Sequence, residues 1–209
     1  MSGLPNAGAG AIVREIAAVI VANKAYLSEI DGKIGDGDHG ANMAKGFGRV
    51  ADRVEDDDTL DDGFSRLSEM LMSEIGGSMG PLYGMMFDDM ATAVEGRETI
   101  DADAFGAMLE AGRDGVMAIG EAKVGDKTLL DALCPAVEAF GGSPGDFAAK
   151  LEAMKTAAAE GRDATKDMVA KIGRSSRLGE RSRGVLDAGA TSCCMILTAL
   201  ADGVSRRLG

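Results

Sequence analysis

Apolar residues recur along this chain at intervals of three and four, the spacing that places them on one face of an α-helix. Ile12, Ile16 and Ile20 follow this spacing in the first such segment. The pattern predicts helices over 8–29, from just after His39 to Val50, and over 60–75, Pro81–Val94, 101–120, 127–141, 145–172 and Gly189–Arg206. Segment 145–172 is either one long helix or a broken pair. No segment of useful length alternates as a strand would, so we predict an all-α fold of about eight helices.

The composition agrees with a helical class. Ala, Leu, Met and Gly dominate, aromatic residues make up 4% of the chain and Trp is absent. β-Branched residues are sparse, which favours helix over sheet. At 209 residues, we expect residues 1–209 to form a single domain, or at most two small ones.

Charge and cysteine content narrow the function classes. The net charge of −12 argues against nucleic acid as the main partner, because phosphate recognition needs a basic surface. The three cysteines, Cys134, Cys193 and Cys194, include no C-x-x-C pair, so we expect neither a disulfide framework nor a zinc site. The apolar run 16–22 is too short to span a membrane and no signal peptide is recognisable. We expect a cytoplasmic protein with no membrane partner.

Glycine-rich interruptions separate several of the predicted helices. Four of them cover 32–40, 76–84, 120–128 and 173–192. Three are followed by a predicted helix start, where free N–H groups and the helix dipole favour anions. Taken singly, each could be an ordinary turn. Together they predict a phosphate-bearing ligand at one end of the helical bundle.

The first of these loops also concentrates carboxylates. Asp31, Asp36 and Asp38 fall within eight positions and precede His39, the only histidine. Three carboxylates this close need a counter-charge, and oxygen ligands without thiolate suit Mg²⁺ or Ca²⁺. With a nucleoside diphosphate the site would carry about −6, which two Mg²⁺ offset better than one. The alternative is a solvated acidic turn whose aspartates cap helices.

Three familiar motifs match this chain only superficially. Gly35–Gly40 reads G-x-G-x-x-G, but neither a strand before it nor a βαβ unit after it is predicted, as a dinucleotide fold requires. Gly120–Thr128 resembles a P-loop, but Asp126 displaces Lys127 by one position and a helical pattern precedes it. An EF-hand starting at Asp31 would lack ligands at the required positions.

His39 and four arginines are candidates for phosphate contacts. Beside the aspartates, His39 is expected to contact a phosphate, although it could instead be a capping residue or a phospho-carrier. Arg174, Arg177, Arg181 and Arg183 lie close together in an otherwise acidic chain. We predict that one of them clamps a phosphate and that the others dock a partner. The alternative is ordinary charge near a helix end.

At these loops the sequence resembles a known family. The segments "IGDGDHGANMAKGF", "GGSMGPLYG", "GDKTLLDAL" and "GRSSRLGERSRGVLDAGATS" are similar to the nucleotide-binding L subunit of bacterial dihydroxyacetone kinases. All four occur in order and at the family's spacing. The resemblance implies an eight-helix antiparallel up-and-down barrel with a nucleotide site at one end.

Roles for individual residues follow from the resemblance, position by position. It implies that Asp31, Asp36 and Asp38 ligate two Mg²⁺. The implied ADP or ATP contacts are His39, Gly40, Ala41, Asn42, Ser78, Met79, Gly120, Leu129, Arg174, Asp187, Ala188 and Gly189. No side chain of this chain is implied as a nucleophile.

The resemblance also implies an activity and its partners. A phosphoryl group would pass to dihydroxyacetone held on a separate K subunit, either from exchangeable ATP or from bound ADP that a phosphotransferase-system protein rephosphorylates. Met79 and Ala188 stand where the family commonly has a hydroxyl residue and proline, which leaves a tetrose such as erythrulose open as the substrate. A homodimer, a regulatory module that contacts a transcription regulator, and a carrier of an apolar ligand also remain open.

Overall fold

The computed structural model describes residues 3–208, and helices make up most of that range. The α-helices are α1 Ala11–Ala22, α2 Lys24–Ile34, α3 His39–Val50, α4 Leu60–Glu74, α5 Met79–Val94, α6 Ala102–Ile119, α7 Leu130–Gly142, α8 Phe147–Ala164 and α9 Ala188–Ser205. Two 3₁₀ segments, Thr165–Asp167 and Arg174–Ser182, lie between α8 and α9. Strands β1 (Leu4–Pro5) and β2 (Thr99–Ile100) form one short antiparallel pair. The predicted all-α class is confirmed.

Eight of the helices close into a ring. α1 packs on α3, each helix from α3 onward packs on the next, and α9 packs back on α1, while α2 lies against α3 and α9. The first turns of α3, α5 and α9 and the last turn of α6 border the same pair of adjoining cavities. Because α5 begins at this end of the ring and its neighbour α6 ends there, these two helices run in opposite directions, as the predicted antiparallel barrel requires.

One predicted helix is two helices in the structure. The segment predicted as 8–29 breaks at Asn23, whose side-chain amide donates to the carbonyl oxygen of Val19 at 2.8 Å. Such local side-chain bonds compete with helix continuation. The second piece, α2, extends to Ile34, so Asp31 lies on a helix and not on the glycine-rich loop to which the sequence assigned it.

The helix predicted from residue 127 begins three residues later. Lys127 has a φ of 65°, in the left-handed region that a right-handed helix excludes. The carboxylate of Asp131 accepts the N–H of Thr128 at 2.7 Å, which closes the loop immediately before α7. Farther along, the segment predicted as one long helix or a broken pair over 145–172 holds a single helix, α8, which ends at Ala164, eight residues before the predicted end, and a three-residue 3₁₀ turn follows.

The core fills the inside of the ring. Phe64 and Phe87 pack with ring centroids 5.2 Å apart, and Phe105 contacts both Phe140 and Phe147 at similar distances. Helix α9 is the one helix within residues 3–208 that is long and apolar enough to span a bilayer, but 72% of it is buried inside the protein. That burial is typical of the central helix of a packed core.

Candidate functional site

The three aspartates that the sequence singled out meet at one end of the ring. Asp31 lies on the last turn of α2, Asp36 in the following turn, and Asp38 immediately before α3. One carboxylate oxygen from each lies within 4.8 Å of the other two. Asp31 is partly exposed, and the other two are exposed. Three oxygen donors from a single short segment therefore face a common point.

Two glycines make this convergence sterically allowed. A Cβ atom on Gly35 would lie 2.3 Å from Oδ1 of Asp31, closer than real contacts permit, so only glycine leaves room for that carboxylate. Gly37 has a φ of 77°, a left-handed conformation that glycine adopts at little cost. The backbone N–H of His39 donates to Oδ2 of Asp31 at 3.3 Å. The loop thus holds Asp31 in a defined orientation.

The donor set fits a hard divalent cation. It consists of three carboxylates without a thiolate, the chemistry that Mg²⁺ and Ca²⁺ prefer. The guanidinium of Arg174 contacts the carboxylate of Asp36, so a positive group already lies beside the cluster. Both side chains are largely exposed, 64% for Arg174 and 43% for Asp36. The arrangement suits an ion or a phosphate that water can reach.

His39 lies behind the aspartates in a buried polar network. Its Nε2 lies 2.9 Å from Oγ of Ser192, and the hydroxyl oxygen of Tyr83 lies 2.7 Å from the same atom. Tyr83 also donates to the carbonyl oxygen of Gly189 at 3.0 Å. Burial lowers the pKa of His39 to about 4, against the opposing effect of the Asp31 charge. The imidazole is therefore neutral at pH 7 and acts as a hydrogen-bonding group.

Two adjoining cavities open at this end of the ring. The first, of about 520 Å³, is lined by the aspartates, by the loop before α5 and by Arg174. The second, of about 500 Å³, is bordered mainly by apolar groups, including Leu82, Val116 and Leu129. His39, Ser78, Met79, Asp187 and Ala188 border both. A polar chamber continuous with an apolar one has the shape and chemistry to hold a phosphate group and an aromatic ring together.

Most residues implied by the resemblance border these cavities. They are Asp31, Asp36, Asp38, His39, Asn42, Ser78, Met79, Gly120, Leu129, Arg174, Asp187, Ala188 and Gly189. Gly40 and Ala41 lie in the first turn of α3 and border neither of the two cavities. Gly40 is buried against α2, whereas Ala41 is exposed. The structure therefore brings the predicted set together except for these two neighbours.

Comparison with known proteins assigns the chain that forms this site to a family. Residues 33–202 match the model of the DAK2 domain. The chain belongs to the DAK2 domain family. Over 181 residues it is 38% identical to the PEP-dependent dihydroxyacetone kinase, ADP-binding subunit DhaL, of Escherichia coli, covering 84% of this chain and 86% of that protein. The PTS-dependent counterpart from Lactococcus lactis is 39% identical over 186 residues, covering 88% and 90%.

Larger family members contain the same fold as one part of a longer chain. The crystal structure of the dihydroxyacetone kinase of C. freundii in complex with AMP-PNP and Mg²⁺ superposes with a TM-score of 0.68 at 26% identity. This chain is covered to 92% but spans only 33% of that kinase. The L-erythrulose kinase of Pectobacterium atrosepticum is 32% identical over 189 residues, and the match again spans 32% of its length. DAK2 domains thus occur both as short chains and within much longer ones.

Asp187 is the one carboxylate in this DAK2 site with a strongly raised pKa. Burial, assisted by the charge of Asp131, raises the pKa of Asp187 to about 7, although the N–H of Ala190 and the Lys127 ammonium act in the opposite direction. Its Oδ2 accepts the N–H of Ala190 at 2.7 Å and so caps α9. The folded protein therefore holds a proton that the unfolded chain releases near pH 4.

The raised pKa of Asp187 predicts a pH-dependent loss of stability. Between about pH 4 and pH 7 the folded state binds more protons than the unfolded state, so the free energy of unfolding falls as pH rises. Asp187→Asn keeps an N-cap and removes this titration, so relative to wild type it should gain on the order of 1 kcal/mol or more between pH 5 and pH 8. Urea unfolding of the ligand-free protein measures the difference. Asp101→Asn, at the cap of α6, is the control, and equal pH slopes in wild type and Asp187→Asn would contradict the prediction.

Several polar residues of the site were given no role of their own from the sequence. Tyr83 and Ser192 fall within the predicted ligand loops 76–84 and 173–192, and Lys127 was considered only as a displaced P-loop lysine. Asp131, 1% exposed, accepts the N–H groups of Gly125 and Thr128. In the sequence, Asp131 is recognisable only as a polar residue at an otherwise apolar helix position. That pattern does not identify the residues with which it forms hydrogen bonds.

Proposed function

We propose that this chain is the nucleotide-binding subunit of a short-ketose kinase. It would bind ADP or ATP with Mg²⁺ and transfer a phosphoryl group to a ketose held on a separate K subunit. The observation that carries the proposal is the three-aspartate cluster at the mouth of a polar chamber that continues into an apolar one. Similarity to DhaL subunits over more than four fifths of both chains supports it.

Each part of the site has a role in this function. Asp31, Asp36 and Asp38 would hold Mg²⁺, and two ions would reduce a charge of about −6 to about −2. When bound, Mg²⁺ neutralises phosphate charge during transfer. Arg174 would contact a phosphate oxygen, and the first turns of α3, α5 and α9 would direct N–H groups towards the phosphates. The apolar chamber would take the base.

The chain supplies positioning and charge neutralisation but no covalent intermediate. The attacking hydroxyl belongs to the ketose, so no nucleophile is needed on this subunit. The neutral His39 would hydrogen-bond at the site, with its ring oriented by Ser192. In this proposal the K subunit binds the ketose and therefore selects the substrate. We expect the assembly to work in the cytoplasm.

The relatives favour a particular phosphoryl donor. DhaL subunits named as PEP-dependent or PTS-dependent match this chain over nearly their full length. We therefore propose that ADP stays bound as a cofactor and is rephosphorylated by a phosphotransferase-system protein. For the substrate, dihydroxyacetone is the first candidate. Erythrulose is the second, because three erythrulose kinases contain a domain 31–32% identical to this chain.

A reconstituted assay tests this proposal. The purified chain is mixed with its K subunit and either ATP or a phosphotransferase donor with phosphoenolpyruvate, and phosphorylated dihydroxyacetone and erythrulose are measured. We expect product with the phosphotransferase donor only when both subunits are present, and none when the chain carries Asp36→Asn. Product with ATP alone would contradict the donor assignment. No product with either donor would contradict the kinase function and favour a regulatory module.

A further inference from the structure

Lys127 is a buried cation outside the cluster of predicted ligands. Only 1% of its surface is exposed. Its Nζ donates to the carbonyl oxygens of Met168 at 3.2 Å, Ser182 at 2.5 Å and Val185 at 2.7 Å. An ammonium group has three N–H donors, so these three carbonyls satisfy it completely. All of its hydrogen bonds go to one segment of the chain.

This arrangement carries a cost that packing alone does not explain. A buried ammonium loses its hydration, and desolvation lowers the pKa of Lys127. The backbone at Lys127 is also left-handed, with a φ of 65°, which is uncommon for a residue other than glycine. An apolar side chain would avoid the charge burial but would leave three carbonyls without a donor. The hydrogen bonds of the lysine therefore help to determine the positions of those three carbonyl groups.

The three acceptors lie on both arms of a loop that carries Arg174. Met168 belongs to the outgoing arm, and Ser182 and Val185 to the returning arm. The arms are also joined directly, because the N–H of Ala170 donates to Oγ of Ser182 at 2.9 Å. Between them, Arg174 begins a 3₁₀ segment and reaches the aspartate cluster. Lys127 belongs to the loop before α7, and its ammonium thus holds the two arms of segment 168–185 together at their base.

We propose that Lys127 is a positioning residue for Arg174. Its ammonium fixes both arms of segment 168–185 and so sets where the Arg174 guanidinium lies relative to the aspartate cluster. The inference rests on the proposed nucleotide-binding function, since it assigns Arg174 to a phosphate. The inference adds that Arg174 contributes to nucleotide binding only while Lys127 holds the two arms of segment 168–185 together.

A double-mutant cycle tests whether Lys127 acts through Arg174. Affinity for Mg-ADP is measured by calorimetry for wild type, Lys127→Met, Arg174→Ala and the double variant. Because Lys127→Met keeps the stem but loses the donors, we expect about a tenfold or greater loss of affinity, with the double variant no weaker than Arg174→Ala alone. Lys166→Met is the matched control. Lys166 lies two residues before the segment, is exposed and does not border either of the two cavities, so its loss should leave the affinity unchanged.

Hydrogen exchange gives a readout that does not depend on nucleotide. Amides of segment 168–185 should exchange faster in ligand-free Lys127→Met than in wild type or Lys166→Met, with the rest of the protein unchanged. If wild type fails to bind Mg-ADP, the proposed function is wrong, while the exchange result still decides whether Lys127 holds the loop. Additive losses in the cycle, or unchanged exchange, would overturn the inference.

A second variant covers the case in which Lys127→Met does not fold. Lys127→Arg keeps the charge, but its planar guanidinium cannot direct three donors as an ammonium does. We expect a folded protein with weakened Mg-ADP binding and the same lack of additivity with Arg174→Ala. If both Lys127 variants fail to fold, the lysine supports the whole structure and not this loop, which would also overturn the inference.

Discussion

Replacing Asp36 by asparagine is expected to abolish Mg²⁺-dependent ADP binding while leaving the helical fold intact. The variant keeps the size of the side chain but removes one of three converging carboxylates and a hard anionic ligand for the cation. The remaining site would place the diphosphate beside Asp31 and Asp38 with too little positive charge. We expect the affinity for Mg-ADP to fall at least about 100-fold, beyond the loss typical of removing a group that only hydrogen-bonds to a metal ligand.

The same substitution should change the free energy of unfolding very little. Asp36 contacts Arg174, but both side chains are largely exposed, and such ion pairs contribute less than about 1 kcal/mol. Titration calorimetry with Mg-ADP, together with urea unfolding, separates the two effects. Asp57→Asn provides the matched control, since Asp57 is an exposed aspartate outside the cluster. Normal affinity in Asp36→Asn would refute the metal assignment.

The second large effect concerns the packing beneath the site. Gly40, in the first turn of α3, lies so close to α2 that a Cβ atom would be 2.0 Å from the carbonyl oxygen of Lys24 and 2.7 Å from the backbone nitrogen of Ser28. Both obstacles are backbone atoms, so the clash can be relieved only by separating the helices. Gly40→Ala should therefore destabilise the protein by about 3 kcal/mol. The movement would also displace the aspartate loop that joins the two helices.

A second glycine on the same helix provides the control. A Cβ atom on Gly48 would meet only Cγ2 of Val21, at an ordinary 3.5 Å. Gly48→Ala should leave stability unchanged or raise it by up to about 1 kcal/mol, because alanine is the better helix former. Denaturant unfolding followed by circular dichroism measures both variants. Equal effects at the two positions would contradict the close approach of α2 and α3.

The helices themselves were largely predictable because their signal is local. Apolar residues at three- and four-residue spacing lie on one helical face wherever they occur, and most predicted bounds lie within a few residues of the observed ones. Two of the errors have local causes that periodicity ignores. Asn23 ends α1 through a side-chain bond to the backbone, and the left-handed Lys127 delays α7. Neither event changes the apolar pattern.

The candidate site was predictable where its members are neighbours in sequence. Asp31, Asp36 and Asp38 were grouped correctly because a tight glycine loop keeps residues so close along the chain within reach of one another. By contrast, the contact between His39 and Ser192 joins positions 153 residues apart, and Tyr83 reaches Ser192 across 109. No spacing rule relates such pairs. The remaining residues that border the cavities were predicted through the family resemblance, and their individual roles stay predictions.

The all-α class, the helices and the acidic glycine loop could be predicted from the order of residues alone, since each depends on interactions between residues a few positions apart. Three properties could be established only from the folded chain: Asp31 lies on a helix, Gly40 is needed for the approach of α2 to α3, and Lys127 closes the loop that carries Arg174. These properties depend on which segments meet when the ring closes. Contacts between distant segments are set by packing of the whole chain, and short-range periodicity carries no information about them.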